Sequence, residues 1–179
     1  MNIINRRKDA YKLKLLIHDL PKEEFTRLFP NITKDILVIS NNAPIQNCIG
    51  CFGCWIKTPG SCVLRDEYGN IGKLLSKCNE MHIISECFYG GFSDFTKNVL
   101  DRGISFIHPY FVIRKGKMHH KLRYKDRIKL KAWFYGSDIT SEEKETATKL
   151  INANAINFNA LEHSVSFYNS IEDMGGESI

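Results

Sequence analysis

Nowhere in this 179-residue chain do about 18 apolar residues follow one another, which excludes a membrane-spanning helix of the usual kind. The first twelve residues, MNIINRRKDAYK, are polar and charged and hold no apolar segment of a secretory leader. The expected setting is therefore the cytoplasm, where cysteines serve as thiols or ligands rather than as a disulfide framework. There is no internal repeat and no low-complexity linker. The H-E-x-x-H pattern is absent, as are a Ser-His-Asp set and a pair of carboxylates placed for acid–base work. No catalytic acid or base can be named, so any chemistry is expected to reside in a bound group that the protein orients.

What remains is an ordinary globular composition, 43% hydrophobic and 25% charged, in a chain long enough for a single domain over 1–179. One stretch stands out. Asn47 to Asp66 reads NCIGCFGCWIKTPGSCVLRD and places Cys48, Cys51, Cys54 and Cys62 in a C-x2-C-x2-C-x7-C run. Four of six cysteines thus lie within fifteen positions, interrupted by glycines that let a backbone turn tightly. Thiolates at this spacing can converge on one centre, and the spacing is that of [4Fe–4S] ligands. It fits zinc less well, because structural zinc sites pair two widely separated knuckles. A reversible dithiol and plain free thiols are the other readings.

The rest of the chain alternates between strand-like and helix-like patterns. Strands are expected at Lys12–Leu20, Asp35–Ser40, Met81–Ser85, Ile128–Tyr135 and Ser164–Tyr168. The first helix follows Asp19 and Pro21. A second, from about Glu67 to Asn79, carries Ile71, Leu74, Leu75 and Cys78 on one stripe, which makes Cys78 a core residue. A third opens at Ser93 and ends near Gly103, with Phe95, Val99 and Leu100 facing inward. Thr140 and Glu143 form a capping box for the last, with Ala147, Leu150, Ile151, Ala155 and Phe158 aligned. Residues 104–126 read as an irregular basic excursion, and the chain from about 169 as a loose tail. This rhythm predicts an α/β fold, a doubly wound sheet of five parallel strands in the order 2-1-3-4-5 with helices on both faces. Ligands of such sheets sit beyond the carboxyl ends of strands 1 and 3, where the winding reverses. His18–Pro21, Cys87–Ser93 and the cysteine loop are expected to meet at that crevice.

CIGCFGCWIKTPGSC at 48–62, Asp66, YGGFS at 89–93 and KNVLDR at 97–102 resemble the flavodoxin-like, NADPH-dependent FMN reductase superfamily, and within it the iron–sulfur flavoproteins. The resemblance spans roughly residues 35–102. It implies FMN as cofactor, NAD(P)H as electron donor, flavin-dependent oxidoreductase or electron-transfer activity, and a homodimer or higher homo-oligomer. Carried over, Cys87, Phe88, Tyr89, Gly90, Gly91 and Phe92 border the flavin ring. Cys48, Cys51, Cys54 and Cys62 match the positions of a possible [4Fe–4S] cluster. A glycine turn with core aromatics is the plainer reading of FYGGF.

The chain departs from that family after its first strand. Flavodoxin-like proteins place a Gly/Ser/Thr-rich loop there, whose N–H groups and hydroxyls cradle the FMN phosphate. Here the sequence is HDLPKEEFTRLF, with a proline that removes a donor and two glutamates at the helix start. Compensation could come from the basic segment: Arg114 to Lys131 holds nine Lys or Arg against one Asp. Lys117, His119, His120, Lys121 and Arg123 are expected either to reach over the crevice or across a dimer interface, or to remain a solvated hairpin. His119 and His120 are not read as a metal pair, since neighbours on a strand face opposite ways. The alternative to a flavoprotein is a degenerate flavodoxin-like fold that binds another ligand or partner without redox activity. Nucleic acid is not the expected partner, because few aromatics interleave the basic residues.

Overall fold

The computed structural model describes residues 13–179 except 115, 126, 177 and 178. The polar segment 1–12, with the first position of the expected strand 1, lies outside the described residues, as do Lys115 and Asp126 of the basic segment. In chain order the elements are β1 (Leu13–His18), α1 (Lys22–Leu28), β2 (Ile36–Ser40), α2 (Gly53–Ile56) and α3 (Ile71–Leu75). Then follow β3 (Cys78–Glu86), α4 (Asp94–Arg102), a 3-10 turn at Ile104–Phe106, β4 (Ile107–Arg114) and β5 (Lys117–Leu122). The chain ends with β6 (Lys129–Tyr135), α5 (Ser141–Asn157), β7 (Glu162–Tyr168) and a 3-10 turn at Glu172–Met174.

Five strands make one parallel sheet in the order β2-β1-β3-β6-β7, the doubly wound arrangement expected from the sequence. The central strands are apolar runs because both of their faces are covered. Leu15 and Ile17, Met81 and Ile83, and Leu130, Ala132 and Phe134 face one layer, formed by Ile71 and Leu75 of α3, Phe95 and Val99 of α4, and Ala147 and Ile151 of α5. Leu16, Ile84 and Trp133 point the other way, onto Leu20, Phe29 and Met174, with Phe25 of α1 alongside. Period-two alternation along each strand sorts side chains between these layers.

The helix starts are those the sequence announces. Thr96 N–H donates to Ser93 Oγ at 3.4 Å at the head of α4. At the head of α5, Glu143 N–H donates to Thr140 Oγ1 at 3.2 Å, and Thr140 N–H to Glu143 Oε2 at 2.9 Å. Four expectations are corrected. The helix expected over 67–79 is reduced to Ile71–Leu75, interrupted on either side by glycine and by the early start of β3. Cys78 is a buried strand residue opposite Leu13 rather than part of a helical stripe. Within the segment expected to be irregular, β4 and β5 pair as an antiparallel hairpin outside the main sheet. Its apolar run Tyr110, Phe111, Ile113 and Met118 faces solvent, so the usual polar–apolar alternation is absent. The segment from 169 is packed rather than loose: Met174 is fully buried, and Ile171 and Ile179 join the same apolar cluster.

Candidate functional site

At the carboxyl edge of the sheet the switch point between β1 and β3 is held by one carboxylate. Asp19 Oδ2 accepts from Glu86 N–H at 2.9 Å and Ser85 Oγ at 3.2 Å, while Oδ1 accepts from Tyr135 Oη at 2.9 Å. It therefore ties the ends of β1, β3 and β6 together. Burial, and next the Asp19 charge, push the Tyr135 phenol well above its ordinary range, so it stays a donor. Asp19 occupies the turn where a phosphate loop would run. Pro21 caps α1 without a side-chain hydrogen bond, and Glu23 and Glu24 stand in the first turn. Three carboxylates and a seven-residue helix do not fit an FMN phosphate dianion. The sequence did not single out Asp19 as an anchor. Its signal was an acid in place of glycine directly after a buried strand.

The strand-3 loop is a tight turn. Phe88 N–H donates to Gly91 O at 3.0 Å and Gly91 N–H to Phe88 O at 2.8 Å. Tyr89 has φ +51° and Gly90 φ +74°. A Cβ on Gly90 would lie 2.8 Å from Glu143 O and 2.7 Å from Thr146 Cβ, so glycine lets this turn rest on α5. Cys87 is half-buried, its N–H is bonded to Tyr135 O, and burial pushes its thiol pKa up, which disfavours a thiolate. Of the aromatics expected over a ring, Phe88 and Tyr89 project outward, 55% and 84% exposed. Phe92 is half-buried and stacks on Phe134 at 5.3 Å, packed against the core. Among the described residues the N–H groups of Tyr89 and Phe92 have no acceptor, leaving two donors for a ligand at this edge.

Most of the cysteine loop lies away from this turn, while Asn47 and Cys48 line a cavity of about 390 Å³ with Asp94, Lys97 and Asn98 along α4. After Ser40 the chain runs along α4 toward the opposite edge of the sheet. Tyr68 Oη donates to the carbonyls of Ser40 and Ala43 at 2.8 and 3.1 Å. Cys48 N–H donates to Asn98 Oδ1 at 3.0 Å, and Asn98 Nδ2 donates to Asn47 Oδ1 at 2.9 Å. Cys48, Cys51, Cys54 and Cys62 then line one pocket of about 220 Å³ together with Leu64, Asp101, Arg102 and Ile104 at the far end of α4. Nine residues of helix, about 14 Å at 1.5 Å per residue, separate this pocket from Ser93 and the strand-3 turn. Asn98 and Arg102, one turn apart on the same helix face, pull the loop down to that end.

Arg102 is the floor of the cysteine pocket. It is 1% exposed, its Nη1 and Nη2 meet Asp66 Oδ2 and Oδ1 at 2.8 and 2.7 Å, Nη1 also donates to Gln46 O at 2.7 Å, and Nε donates to Cys62 Sγ at 3.0 Å. This guanidinium holds the Asp66 carboxyl down to about 2. Trp55 Nε1 donates to Ile107 O at 2.9 Å and fixes the short helix α2 to β4. Gly53 begins α2 because a Cβ there would meet Val63 Cγ1 at 2.5 Å. Among the described residues no three His, Cys, Asp or Glu side chains stand as a metal-binding group. Cys62 Sγ is turned onto Arg102 rather than onto a common centre, and Cys48 and Cys51 are exposed. Burial, and then the neighbouring thiols Cys62, Cys48 and Cys51, push the Cys54 thiol up.

The basic hairpin does not reach over the crevice either. Arg123 Nε donates to Ser105 O at 2.8 Å, and Arg114 donates to His120 O at 2.8 Å and Ile156 O at 3.3 Å, so β4 and β5 lie against the last turns of α5. His119 faces Asn157 while His120 faces His108 O, on opposite sides as the strand pleat requires.

No protein-family model and no curated protein sequence matches the chain. The fold has many relatives among solved structures. It is similar to general stress protein 14 from Treponema denticola in complex with FMN, at 11% identity over 87% of this chain and 85% of that one, TM-score 0.54. It is similar to an NADPH-quinone reductase from P. pentosaceus, at 9% identity over 87% and 84%, TM-score 0.52. An NAD(P)H:quinone oxidoreductase from Methanothermobacter marburgensis matches at 9% identity over 87% and 86%, TM-score 0.50. These similarities establish the flavodoxin-like architecture.

Proposed function

We propose that this chain is a flavin-dependent oxidoreductase of the NAD(P)H-dependent FMN reductase type that holds its flavin by the ring rather than by the phosphate. The observation that carries the reading is the exposed pair Phe88 and Tyr89 on a rigid turn at the switch-point edge, with the free N–H groups of Tyr89 and Phe92 beside it. Such a turn supplies an aromatic face and two backbone donors to a flat heteroaromatic ring. The flavodoxin-like architecture supports the same reading, since ligands of doubly wound sheets bind at this edge. The acidic β1–α1 turn sets the finer expectation. With Asp19, Glu23 and Glu24 where a phosphate would rest, riboflavin binds at least as tightly as FMN.

Titrating riboflavin and FMN with the purified full chain, followed by quenching of flavin fluorescence, tests this. The expected result is saturable quenching by both, weakened about tenfold in Tyr89→Ala. Anaerobic bleaching of the bound flavin on adding NADPH or NADH then tests the donor. Absence of quenching with either flavin would refute the reading.

A further inference from the structure

A second cavity lies at the other edge of the sheet from the strand-3 turn and plays no part in the flavin reading. It measures about 530 Å³ and is bounded by the hairpin, the last turns of α5 and the starts of β6 and β7. The seven residues of β6 span about 20 Å at roughly 3.3 Å each, which separates it from the flavin edge. Among the described residues its lining carries Arg114, Lys117, Arg127, His119 and His163, and no carboxylate. Of the two acids adjacent in sequence to lining residues, Asp126 lies outside the described residues, and Glu162 pairs with Lys129 at 2.6 Å on the opposite face of β7 from His163.

The bland account of these cations is that they cap a helix. Arg114 and Arg127 do donate to Ile156 O and Ala160 O, where α5 ends and its dipole is negative. That account uses only some N–H groups of the two arginines and leaves Arg114 Nε, the rest of the Arg127 fork and Lys117. Among the described residues the Lys117 side chain has no acidic or hydrogen-bonding partner, and Arg114 Nε is buried without an acceptor. An unpaired buried donor costs about 1–3 kcal/mol, and an anion seated here offsets that cost. The apolar side of the cavity, Ala155, Ile156 and Leu161, stands next to the amides of Asn152 and Asn159. Cations on one wall, apolar surface with amides on the other, and a volume within the ordinary range for small-molecule sites make a distinct combination.

We infer that this cavity binds a nucleoside phosphate, with its phosphates against Lys117, Arg114 and Arg127 and its base over Ile156 and Leu161. Lys117 supplies a mobile point charge and Arg127 a planar fork, the two side-chain types that recognise phosphate. The site does not depend on flavin binding, and either can fail without the other.

The test uses the full chain and ADP carrying a fluorescent ribose label, read by anisotropy. Saturable binding is expected, displaced by inorganic pyrophosphate but not by adenosine, and weakened about tenfold or more in Lys117→Glu/Arg127→Glu. Both side chains are at the surface, so the double variant should fold, and unchanged far-ultraviolet circular dichroism will verify this. Absence of saturable binding to the native chain overturns the inference, as does equal binding by the double variant. Displacement by a single-stranded oligonucleotide at lower phosphate concentration than by pyrophosphate overturns it as well, assigning the face to nucleic acid.

Discussion

Arg102 and Asp66 meet fork to fork at 2.7 and 2.8 Å, with the guanidinium almost wholly out of solvent. The fifth guanidinium hydrogen-bonding direction, along Nε, goes to Cys62. One residue at the end of α4 therefore fixes both ends of a loop of twenty residues, since Gln46 O accepts from the same side chain. Arg102, the one charged residue on the buried face of α4, has turned a thiol-rich, glycine-rich segment into a defined pocket.

Arg102→Ala should destabilise the fold by about 3–5 kcal/mol, because it leaves the Asp66 carboxylate without its partner. Urea unfolding of the variant measures the loss. Arg102→Lys should recover little, since an ammonium cannot span both oxygens and Cys62 at once. In either variant Cys62 should react faster with an aromatic disulfide reagent, and an unchanged rate would show that Arg102 does not control the loop.

Acid should reveal the same pair. The Asp66 carboxyl is lowered from 3.8 to about 2 by Arg102, so its contribution is complete above pH 3.8 and is lost as pH falls toward 2. The change amounts to about 2 kcal/mol. Unfolding free energies between pH 4 and 2 should fall more steeply for the native chain than for Asp66→Asn.

His18 gives a second, distinct pH dependence. It is 1% exposed, stacked on Phe25 at 4.0 Å with neither ring nitrogen hydrogen-bonded, and burial lowers it to about 4. The unfolded chain takes up the proton first, so stability is complete above pH 6.5 and declines as pH falls toward 4, by about 3 kcal/mol. His18→Phe should flatten the stability profile over this window. Burial also lowers His82, only partly offset by Glu80 at 2.7 Å, so some slope of the same sign should remain.

Gly90→Ala should cost about 1–3 kcal/mol, because it combines a positive φ with contact against the α5 backbone. The strand-3 turn should lift from α5 in the variant, and hydrogen exchange at Phe88 and Gly91 should speed up. If exchange there is unchanged while the melting temperature drops, the strain is being relieved elsewhere.

The alternation of apolar runs and capped helices was enough to specify the five-stranded order, the head of α4 at Ser93 and the capping box of α5. Each depends on contacts within a few residues or on the two-faced burial of a strand. The hairpin was hidden because Tyr110, Phe111, Val112 and Ile113 form a continuous apolar run that is nonetheless solvent-exposed, a pattern usually reserved for buried strands. Phe92 was placed on a ligand face because the alternation of an isolated turn does not say which aromatic turns back onto Phe134.

The sequence by itself determined the sheet, its winding and the acidic character of the β1–α1 turn, since these follow from local pattern and from residue type at one position. Tertiary structure alone decided where the cysteines go. Their spacing is compatible with either end of α4, and only the long-range bonds of Asn98 and Arg102 to residues about fifty positions earlier draw the loop away from the flavin edge. It alone decided, too, that the basic hairpin lies against the end of α5, because the carbonyls that Arg114 and Arg127 bond come from a helix tens of residues further along the chain. Such contacts leave no periodicity in the sequence, so packing had to select among placements that local pattern leaves equal.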